Sequence, residues 1–184
     1  MPSLGSPWQR YKAKWENCTL CYLCEVRKNV VLCRGKIPCD VLFIGEAPGL
    51  NEDAIGQPFI GPAGKLLDKQ IEEALEHCPG MDPRIAFGNL IGCVPKVEGH
   101  KISEPPKDCV ESCNLRLRGL IELCKPSLIV GVGDVSNKYL SKVIGNVTYG
   151  TITHPAAILR AEIVRKDLMY HRVVIILECL FKEL

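Results

Sequence analysis

Apolar positions along the chain form short continuous runs, and stretches with helical spacing separate them. The runs at residues 40–44, 85–91 and 127–132 are rich in β-branched and other apolar side chains, which predicts buried strands. A further pattern at residues 147–153 predicts a fourth strand. Residues 64–77 carry apolar side chains at intervals of three or four positions, which indicates an amphipathic helix between the first two strands.

Four more segments have patterns typical of helices. Their approximate bounds are 8–16, 105–124, 134–143 and 166–182. The Pro105-Pro106 pair suits the first turn of the second of these helices, where the missing N–H groups would have no helical partner anyway. The run VVIIL at 173–177 is compatible with a strand as well as with the closing helix.

Strands that alternate with helices predict an α/β fold with a mostly parallel, four-stranded sheet. Parallel sheets place ligand sites on the loops at the carboxyl ends of their strands. The segment GEAPG at 45–49 follows the first predicted strand, Asn89 lies near the end of the second, and His154 follows the fourth. We therefore expect a functional site where these three segments meet.

The composition is that of an ordinary globular protein. With 184 residues, of which 47% are apolar and 24% charged, the chain is expected to form one domain over 1–184 and is too apolar to be disordered. Its net charge of +2 gives no global argument for nucleic acid or membrane, so a DNA contact requires a local basic patch. No apolar run reaches the length of a membrane helix, and Met1 to Trp15 lacks the apolar core of a secretory signal. We expect a cytoplasmic monomer.

The 11 cysteines indicate a metal site rather than disulfides, because a chain without a secretory signal is expected in a reducing compartment. Cys18 and Cys21 have the spacing of a metal-ligand pair, which Cys24 extends to C-x2-C-x2-C. Cys93 and Cys113 lie far along the chain. Four thiolates suit zinc or a [4Fe–4S] cluster, and spacing alone does not separate the two. The plainer interpretation, a small core residue, is applied to Cys78, Cys124 and Cys179.

The glycine-rich segment 45–68 joins the first predicted strand to the helix that follows it. It contains neither GxGxxG nor the lysine and serine or threonine of a P-loop, so a nucleotide cofactor is not indicated. Glu46, Glu52 and Asp53 would repel a phosphate group. The segment is therefore either a long structural connection or a loop that positions a water molecule or a cation.

Phe59 and His154 each have two interpretations from residue type alone. Phe59, between Pro58 and Ile60, is either a core residue or an aromatic platform for a planar ligand. His154 is either a structural hydrogen-bonding residue or a catalytic one. Its place opposite the glycine-rich loop supports the catalytic interpretation as strongly as the structural one.

Five segments, taken in order, resemble the motifs of the iron–sulfur uracil-DNA glycosylases, usually called family 4. They are CTLCYLCEVR at 18–27, GEAPGLNEDAIGQPFIGPAGKLLD at 45–68, NLIGC at 89–93, Cys113 with the later KPSLIVGVG at 125–133, and THPAAILR at 153–160. The resemblance covers about residues 15–180, and the long motif at 45–68 makes it specific. It implies a three-layer α/β/α sandwich and a DNA repair enzyme that removes uracil from DNA.

The resemblance also implies a [4Fe–4S] cluster and a set of ligands. The ligands carry over to Cys18, Cys21, Cys93 and Cys113, and Cys24 and Cys109 are rival candidates. The role of the cluster in such a protein is structural, since hydrolysis of uracil from DNA needs no electron transfer.

In the implied reaction, uracil leaves the base stack and enters a pocket, where its bond to deoxyribose is hydrolysed. Phe59 would stack on the ring, Asn89 would bind O4 and N3–H, and His154 would donate to O2 as charge develops there. Glu46 would position or activate the attacking water, and Glu52 would crowd the C5 position to exclude thymine.

Three further residues complete the implied site. The backbone of Gly45 and Ala47 would hold water or substrate, and Arg160 would contact DNA phosphate. No lysine is placed for Schiff-base chemistry, which favours a monofunctional glycosylase.

The sequence departs from the family pattern at Cys24 and after Cys93, where Val94-Pro95-Lys96 replaces the usual Arg-Pro-Pro. Alternatives therefore stay open: a glycosylase of the same fold for another modified or damaged pyrimidine, or a non-catalytic DNA-binding relative. A zinc-binding hydrolase would be colourless where a [4Fe–4S] protein is brown. A redox carrier has no flavin or nicotinamide motif to support it.

Overall fold

The computed structural model describes residues 5–95, 97–98, 101–140, 143 and 147–184. Its α-helices are α1 (Pro7–Trp15), α2 (Leu50–Ile55), α3 (Pro62–Glu76), α4 (Lys107–Cys124), α5 (Asp134–Leu140), α6 (Pro155–Arg160) and α7 (Ile163–Phe181). Its strands are β1 (Arg34–Gly35), β2 (Val41–Gly45), β3 (Ile85–Asn89), β4 (Val97–Glu98), β5 (Lys101–Ile102), β6 (Leu128–Val132) and β7 (Thr148–Ile152). A short 3-10 helix spans Tyr22–Glu25.

The main sheet has five strands in the order β1-β3-β2-β6-β7. The strands β3, β2, β6 and β7 are parallel, which confirms the predicted mostly parallel sheet. The predicted number of four strands is corrected to five, because β1 adds an antiparallel pair at the edge. This strand consists of only Arg34 and Gly35, so it has no apolar run from which it could be predicted. Gly35 has a φ of 106°, a conformation that favours glycine.

A second, two-stranded antiparallel sheet pairs β4 with β5. It lies between the predicted strand at 85–91 and the predicted helix at 105–124, where the pattern of apolar positions predicts no strand. Lys96, one of the positions at which the chain departs from the family pattern, lies outside the described residues.

Both faces of the main sheet are covered, which confirms the predicted α/β/α layering. On β2, Val41 and Phe43 pack towards a core that includes residues of α3 and α7. Leu42 and Ile44 point the other way, towards residues of α1, α4 and α5. A parallel strand that is buried on both faces has a continuous apolar sequence, and this explains the run that β2 shows.

The closing segment is the helix α7 rather than a strand. Val173, Val174 and Leu177 are buried, whereas Ile175 between them is 58% exposed, and this spacing is helical. Among the described residues, no helix combines the length and the apolar character that would be needed to cross a bilayer.

Candidate active site and neighbouring cysteine cluster

A cavity of about 880 Å³ opens at the carboxyl end of the sheet. The loops that follow β2 and β7 and the end of β3 supply much of its wall. Seven of the eight pocket residues expected from the sequence line it: Glu46, Ala47, Glu52, Phe59, Asn89, His154 and Arg160. The structure therefore brings together residues that are more than a hundred positions apart in the chain.

The eighth residue, Gly45, makes room for two of the others. It pairs with Asn89 across the β2–β3 ladder. A Cβ atom at Gly45 would lie 2.6 Å from Asn89 Oδ1 and 2.6 Å from Phe59 Cζ. A glycine is thus required here, because any side chain would displace the amide and the ring that face the cavity.

Phe59 adopts a left-handed backbone conformation, with a φ of 56°. Such a conformation is costly for a residue with a side chain and persists only when its surroundings fix it. Glu52 supplies part of that support: its Oε1 accepts hydrogen bonds from Ile60 N–H at 3.0 Å and Gly61 N–H at 2.7 Å. The ring of Phe59 lies 5.7 Å from that of Phe87 and also borders the cavity, so it is both a core residue and a pocket wall.

Arg34 supports the same loop from the outside. Its Nε donates to the carbonyl of Pro58 at 3.1 Å, and its Nη2 donates to Asp68 Oδ1 at 2.8 Å. The guanidinium also lies 4.0 Å from the centre of the Phe87 ring. The sequence analysis missed Arg34, because a lone arginine outside any motif carries no local signal.

His154 begins helix α6, and this position fixes its tautomer. Its Nδ1 accepts a hydrogen bond from Ala156 N–H at 3.1 Å, so the ring proton resides on Nε2. Burial lowers the pKa of His154, and the nearby Arg160 cation lowers it further. The residue is therefore a neutral imidazole at neutral pH, with one N–H to donate. A Cβ at Gly133 would lie 3.0 Å from the His154 Cβ, which shows how closely the turn after β6 approaches this residue.

Glu46 lies across the cavity and is partly buried. Burial raises the pKa of Glu46, and the neighbouring Glu104 carboxylate raises it further. Its carbonyl accepts a hydrogen bond from Ile91 N–H at 3.3 Å, which ties the loop after β2 to the segment after β3. Burial thus favours the uncharged forms of both ionisable groups in the proposed catalytic pair, Glu46 and His154.

A second cluster lies beside the pocket and consists mainly of cysteines. Cys93, Cys109 and Cys113 are buried with Leu23, Ile91 and Val110, and Cys21 packs against them. Burial raises the pKa of Cys93 to about 12, with smaller contributions from Cys113, Cys21 and Cys18. The four predicted ligands are therefore neighbours in space.

The two rival ligands differ in position. Cys109 is buried in the same cluster as Cys93 and Cys113 and interacts with Cys21, whereas Cys24 is not part of that buried cluster. In the part of the chain that is described, no group of three or more His, Cys, Asp or Glu side chains has the arrangement of a closed metal site. The thiols are gathered but do not converge on one point.

The loop that carries the first cysteines is tied to the pocket through Asp53 on α2. The Asp53 carboxylate accepts from Lys28 N–H at 3.0 Å and from Asn29 N–H at 3.2 Å. Arg27 holds the same loop from its other side by donating to the Cys18 carbonyl at 2.8 Å. Asp53 is therefore a structural residue between the two regions, and it does not line the cavity.

The sequence model of the Uracil DNA glycosylase superfamily matches residues 34–176. This range covers more than half of the chain, and it contains every pocket residue named above. The chain belongs to the uracil-DNA glycosylase superfamily.

Similar members of this superfamily are named Type-4 uracil-DNA glycosylase. The protein of Sulfurisphaera tokodaii is 33% identical over 79% of this chain and 62% of its own length. That of Saccharolobus solfataricus is 39% identical over 68% of this chain and 55% of its own length. That of Pyrobaculum aerophilum is 31% identical over 83% of this chain and 84% of its own length. The chain thus spans less than two thirds of the length of the first two relatives.

A solved structure supports the superfamily fold. The solution NMR structure of a candidate uracil DNA glycosylase from Methanosarcina acetivorans matches 81% of this chain and 99% of its own, with a TM-score of 0.51. The sequences are 14% identical, so the likeness concerns the fold alone.

One buried residue of this superfamily member escaped the sequence analysis. Arg116 follows Cys113 on α4 and is only 1% exposed. A visible signal existed, because Arg116 falls on the same face of the predicted helix as Cys113, Leu117 and Leu120. A charge on an apolar helix face is rare enough to call for a partner.

Proposed function

We propose that this protein is a DNA repair glycosylase that hydrolyses the N-glycosidic bond of uracil in DNA, releases uracil and leaves an abasic site. The observation that carries the proposal is the convergence of Phe59, Asn89, His154 and Glu46 on one cavity. These four groups supply a stacking surface, a base-reading amide, a neutral donor and a carboxylate. The names of the similar proteins give the same activity and substrate.

The base has to leave the duplex or the single strand before it can reach this cavity. At about 880 Å³ the cavity has room for a pyrimidine and part of its sugar. Phe59 supplies the stacking surface. Because hydrogen bonds already fix the loop that carries it, binding of the base does not cost the entropy of ordering that loop. Arg160, exposed at the cavity mouth, is placed to contact a DNA phosphate.

Asn89 distinguishes uracil from cytosine. Its amide can donate to uracil O4 and accept from N3–H, whereas cytosine presents the opposite pattern at these two positions. Gly45 leaves the space that Asn89 Oδ1 occupies, because a Cβ there would lie 2.6 Å from this atom. Cytosine would leave the buried Asn89 amide without hydrogen-bond partners, and this cost excludes cytosine from the site.

His154 stabilises the leaving base. As the bond from C1′ to N1 breaks, uracil takes the bonding electron pair, and negative charge spreads to O2. The Nε2–H of a neutral His154 donates to that oxygen, while Nδ1 stays occupied by the Ala156 N–H. This hydrogen bond strengthens as charge develops, so it favours the transition state over the bound substrate.

Glu46 acts on the sugar side. Departure of the base leaves positive charge on the sugar ring, and a carboxylate nearby stabilises that charge. Water then adds to C1′, and its proton passes to the Glu46 carboxylate. Glu46 has to be ionised for both roles, so activity is expected to fall as pH drops through its raised pKa.

We assign Glu52 to the loop rather than to a steric gate at C5. Its Oε1 is engaged by two backbone N–H groups, and these contacts hold the segment that carries Phe59.

A [4Fe–4S] cluster held by Cys18, Cys21, Cys93 and Cys113 is the second part of the proposal. The donor set fits, because all four are thiols, three of them pack in one small cluster, and all four interact electrostatically. A buried arginine near them, Arg116, has two nitrogen atoms without a hydrogen-bond partner among the described residues. When bound, such a cluster supplies a cross-link between three distant segments of the chain.

The test is base release from an oligonucleotide with one uracil, followed by alkaline cleavage of the abasic site. Matched oligonucleotides with thymine or cytosine at the same position run beside it. We expect cleavage of the uracil strand alone. Failure to cleave that strand by folded, brown protein would reject the activity, and cleavage only of another modified pyrimidine would replace it.

A further inference from the structure

Arg116 is among the largest fully buried side chains of the protein, and its guanidinium is only partly satisfied. Its Nη2 donates to the carbonyl of Asn89 at 2.5 Å and to that of Leu90 at 2.9 Å. Nε and Nη1 are buried and have no hydrogen-bond partner among the described residues. Leaving two donors of a buried cation unpaired is costly, so a further acceptor or negative charge is needed at this place.

The surroundings of Arg116 show where that charge would lie. A Cβ at Gly92 would come within 3.2 Å of Arg116 Nε, so the guanidinium stem runs along the residue that precedes Cys93. Cys113 lies one helical turn before Arg116 on α4. The Nε side of the guanidinium therefore lies against the residue next to Cys93, and Cys113 is one turn away on the same helix.

The charges around Arg116 agree with this placement. The Tyr11 phenol and the Cys113 thiol both interact with its guanidinium. The Cys113 thiol lies near enough to interact with the guanidinium, yet Nε and Nη1 have no hydrogen-bond partner of good geometry among the described residues. No carboxylate of the described residues hydrogen-bonds to it either.

We propose that Arg116 is the buried counter-cation of the metal–thiolate group held by Cys18, Cys21, Cys93 and Cys113, and that it joins this group to the base-reading residue Asn89. The proposal rests on the proposed function, since it takes the cluster as given. Arg116 touches neither the substrate nor the reacting atoms, so it is a positioning residue.

The planar guanidinium is suited to this double role. It can donate to two carbonyls through one nitrogen while its other N–H groups face thiolate or sulfide, a geometry that a lysine ammonium cannot reproduce. Four thiolates give an iron–sulfur cluster a net negative charge, and reduction makes it more negative. A buried cation beside it therefore raises the reduction potential, and loss of the cation lowers it.

The experiment compares the parent protein with Arg116→Gln, Arg116→Lys and a control, Arg118→Gln. Arg118 lies on the same helix but is exposed, so its substitution removes the same charge from a solvated place. Anaerobically purified proteins are analysed for iron and sulfide. The reduction potential is then measured by optical and electron paramagnetic resonance titration, and KM and kcat for uracil release are measured separately.

We expect Arg116→Gln to shift the potential to a more negative value, or to lose the cluster, while Arg118→Gln does neither. Arg116→Lys keeps the charge, so it should retain the cluster and stay close to the parent potential. It should nevertheless raise KM, because a compact ammonium on a flexible stem cannot hold the carbonyls of Asn89 and Leu90 and face the thiolates in the fixed geometry of the guanidinium.

The outcomes separate this inference from the function on which it rests. A parent protein without iron would reject the cluster and Arg116's role together, while uracil release would still be judged by its own assay. A parent with a cluster whose potential is unchanged in Arg116→Gln would reject the inference alone. If Arg116→Gln does not fold, loss of the cluster in Arg116→Lys as well would show that charge is not the reason, and its retention would support the inference.

Discussion

The pocket and the cysteine cluster are neighbours, yet they are completed in different ways. In the pocket, the chain's own backbone holds the key groups: Ala156 N–H binds His154, and two N–H groups bind Glu52. In the cysteine cluster, thiols from distant segments pack together, and Nε and Nη1 of the neighbouring Arg116 have no hydrogen-bond partner among the described residues. The fold preorganises the pocket, whereas the cysteine cluster is the place where we propose that an iron–sulfur cluster binds.

The two regions meet in the segment from Asn89 to Cys93. Asn89 faces the cavity and Cys93 faces the other thiols, and Ile91 N–H between them binds the carbonyl of Glu46. Damage to the pocket should therefore change catalysis without changing stability. Damage to the cysteines should change stability first and catalysis through it.

The largest expected effect is the loss of catalysis on replacing His154 or Asn89 with Ala. Removing one donor to a developing anion costs about 100- to 1,000-fold in rate. Single-turnover uracil release should fall by this order, while the melting temperature and iron content stay as in the parent. The control is His171→Ala, since this exposed histidine lies on α7 outside the cavity wall. Normal release by the His154 variant would remove that residue from the mechanism.

The next effect is on stability and comes from Cys113→Ser. A group that binds only the native state adds its binding free energy to folding, so loss of one ligand should lower the melting temperature and the brown colour together. Thermal unfolding and visible absorption measure both. Cys179→Ser is the matched control, because Cys179 is exposed. A colourless Cys113 variant as stable as the parent would contradict the structural role of the cluster.

A smaller effect is expected from Gly45→Ala. The added methyl group would lie 2.6 Å from both Asn89 Oδ1 and Phe59 Cζ, so one of them has to move. Displacement of binding groups by a fraction of an ångström to an ångström costs about 10- to 100-fold in activity. Uracil release under single-turnover conditions measures it, and Gly119→Ala is the control, where the new Cβ makes an ordinary contact of 3.4 Å with Tyr11. Equal rates for the two variants would mean that Asn89 is not oriented as described.

The smallest effect concerns pH and comes from Glu104→Gln. Burial raises the pKa of Glu46 first, and the Glu104 carboxylate raises it further. Removing that charge lowers the pKa of Glu46, so the acid limb of the pH–rate profile should move to lower pH while the rate at neutral pH changes little. The control is Glu122→Gln, which removes a negative charge from an exposed position on α4. A shift to higher pH, or the same shift in the control, would contradict this arrangement.

Much of the fold could be predicted from the sequence because buried parallel strands have continuous apolar runs, as β2 and β6 do. The edge strand β1 could not, since two residues give no periodicity. The VVIIL run is compatible with both a strand and a helix. It lies in helix α7, where Val173, Val174 and Leu177 pack into the core beside the sheet.

The pocket residues could be predicted because motifs mark them and topology brings strand ends together. The supporting contacts could not: Arg34 lies outside the motifs, nothing in the motif indicates that Asp68 binds it, and Glu52 holds the loop as well as lining the cavity. Arg116 could have been noticed, since it is a charged residue on the apolar face that carries Cys113.

The most direct test of a uracil-binding pocket is a crystal structure of the His154→Ala variant with a uracil-containing oligonucleotide. This variant should release the base slowly while keeping the groups that read it. The account predicts an extrahelical uracil with its ring against Phe59 and its O4 and N3 at the Asn89 amide. A uracil bound elsewhere, or one that stays stacked in the DNA while the cavity is empty, would contradict it.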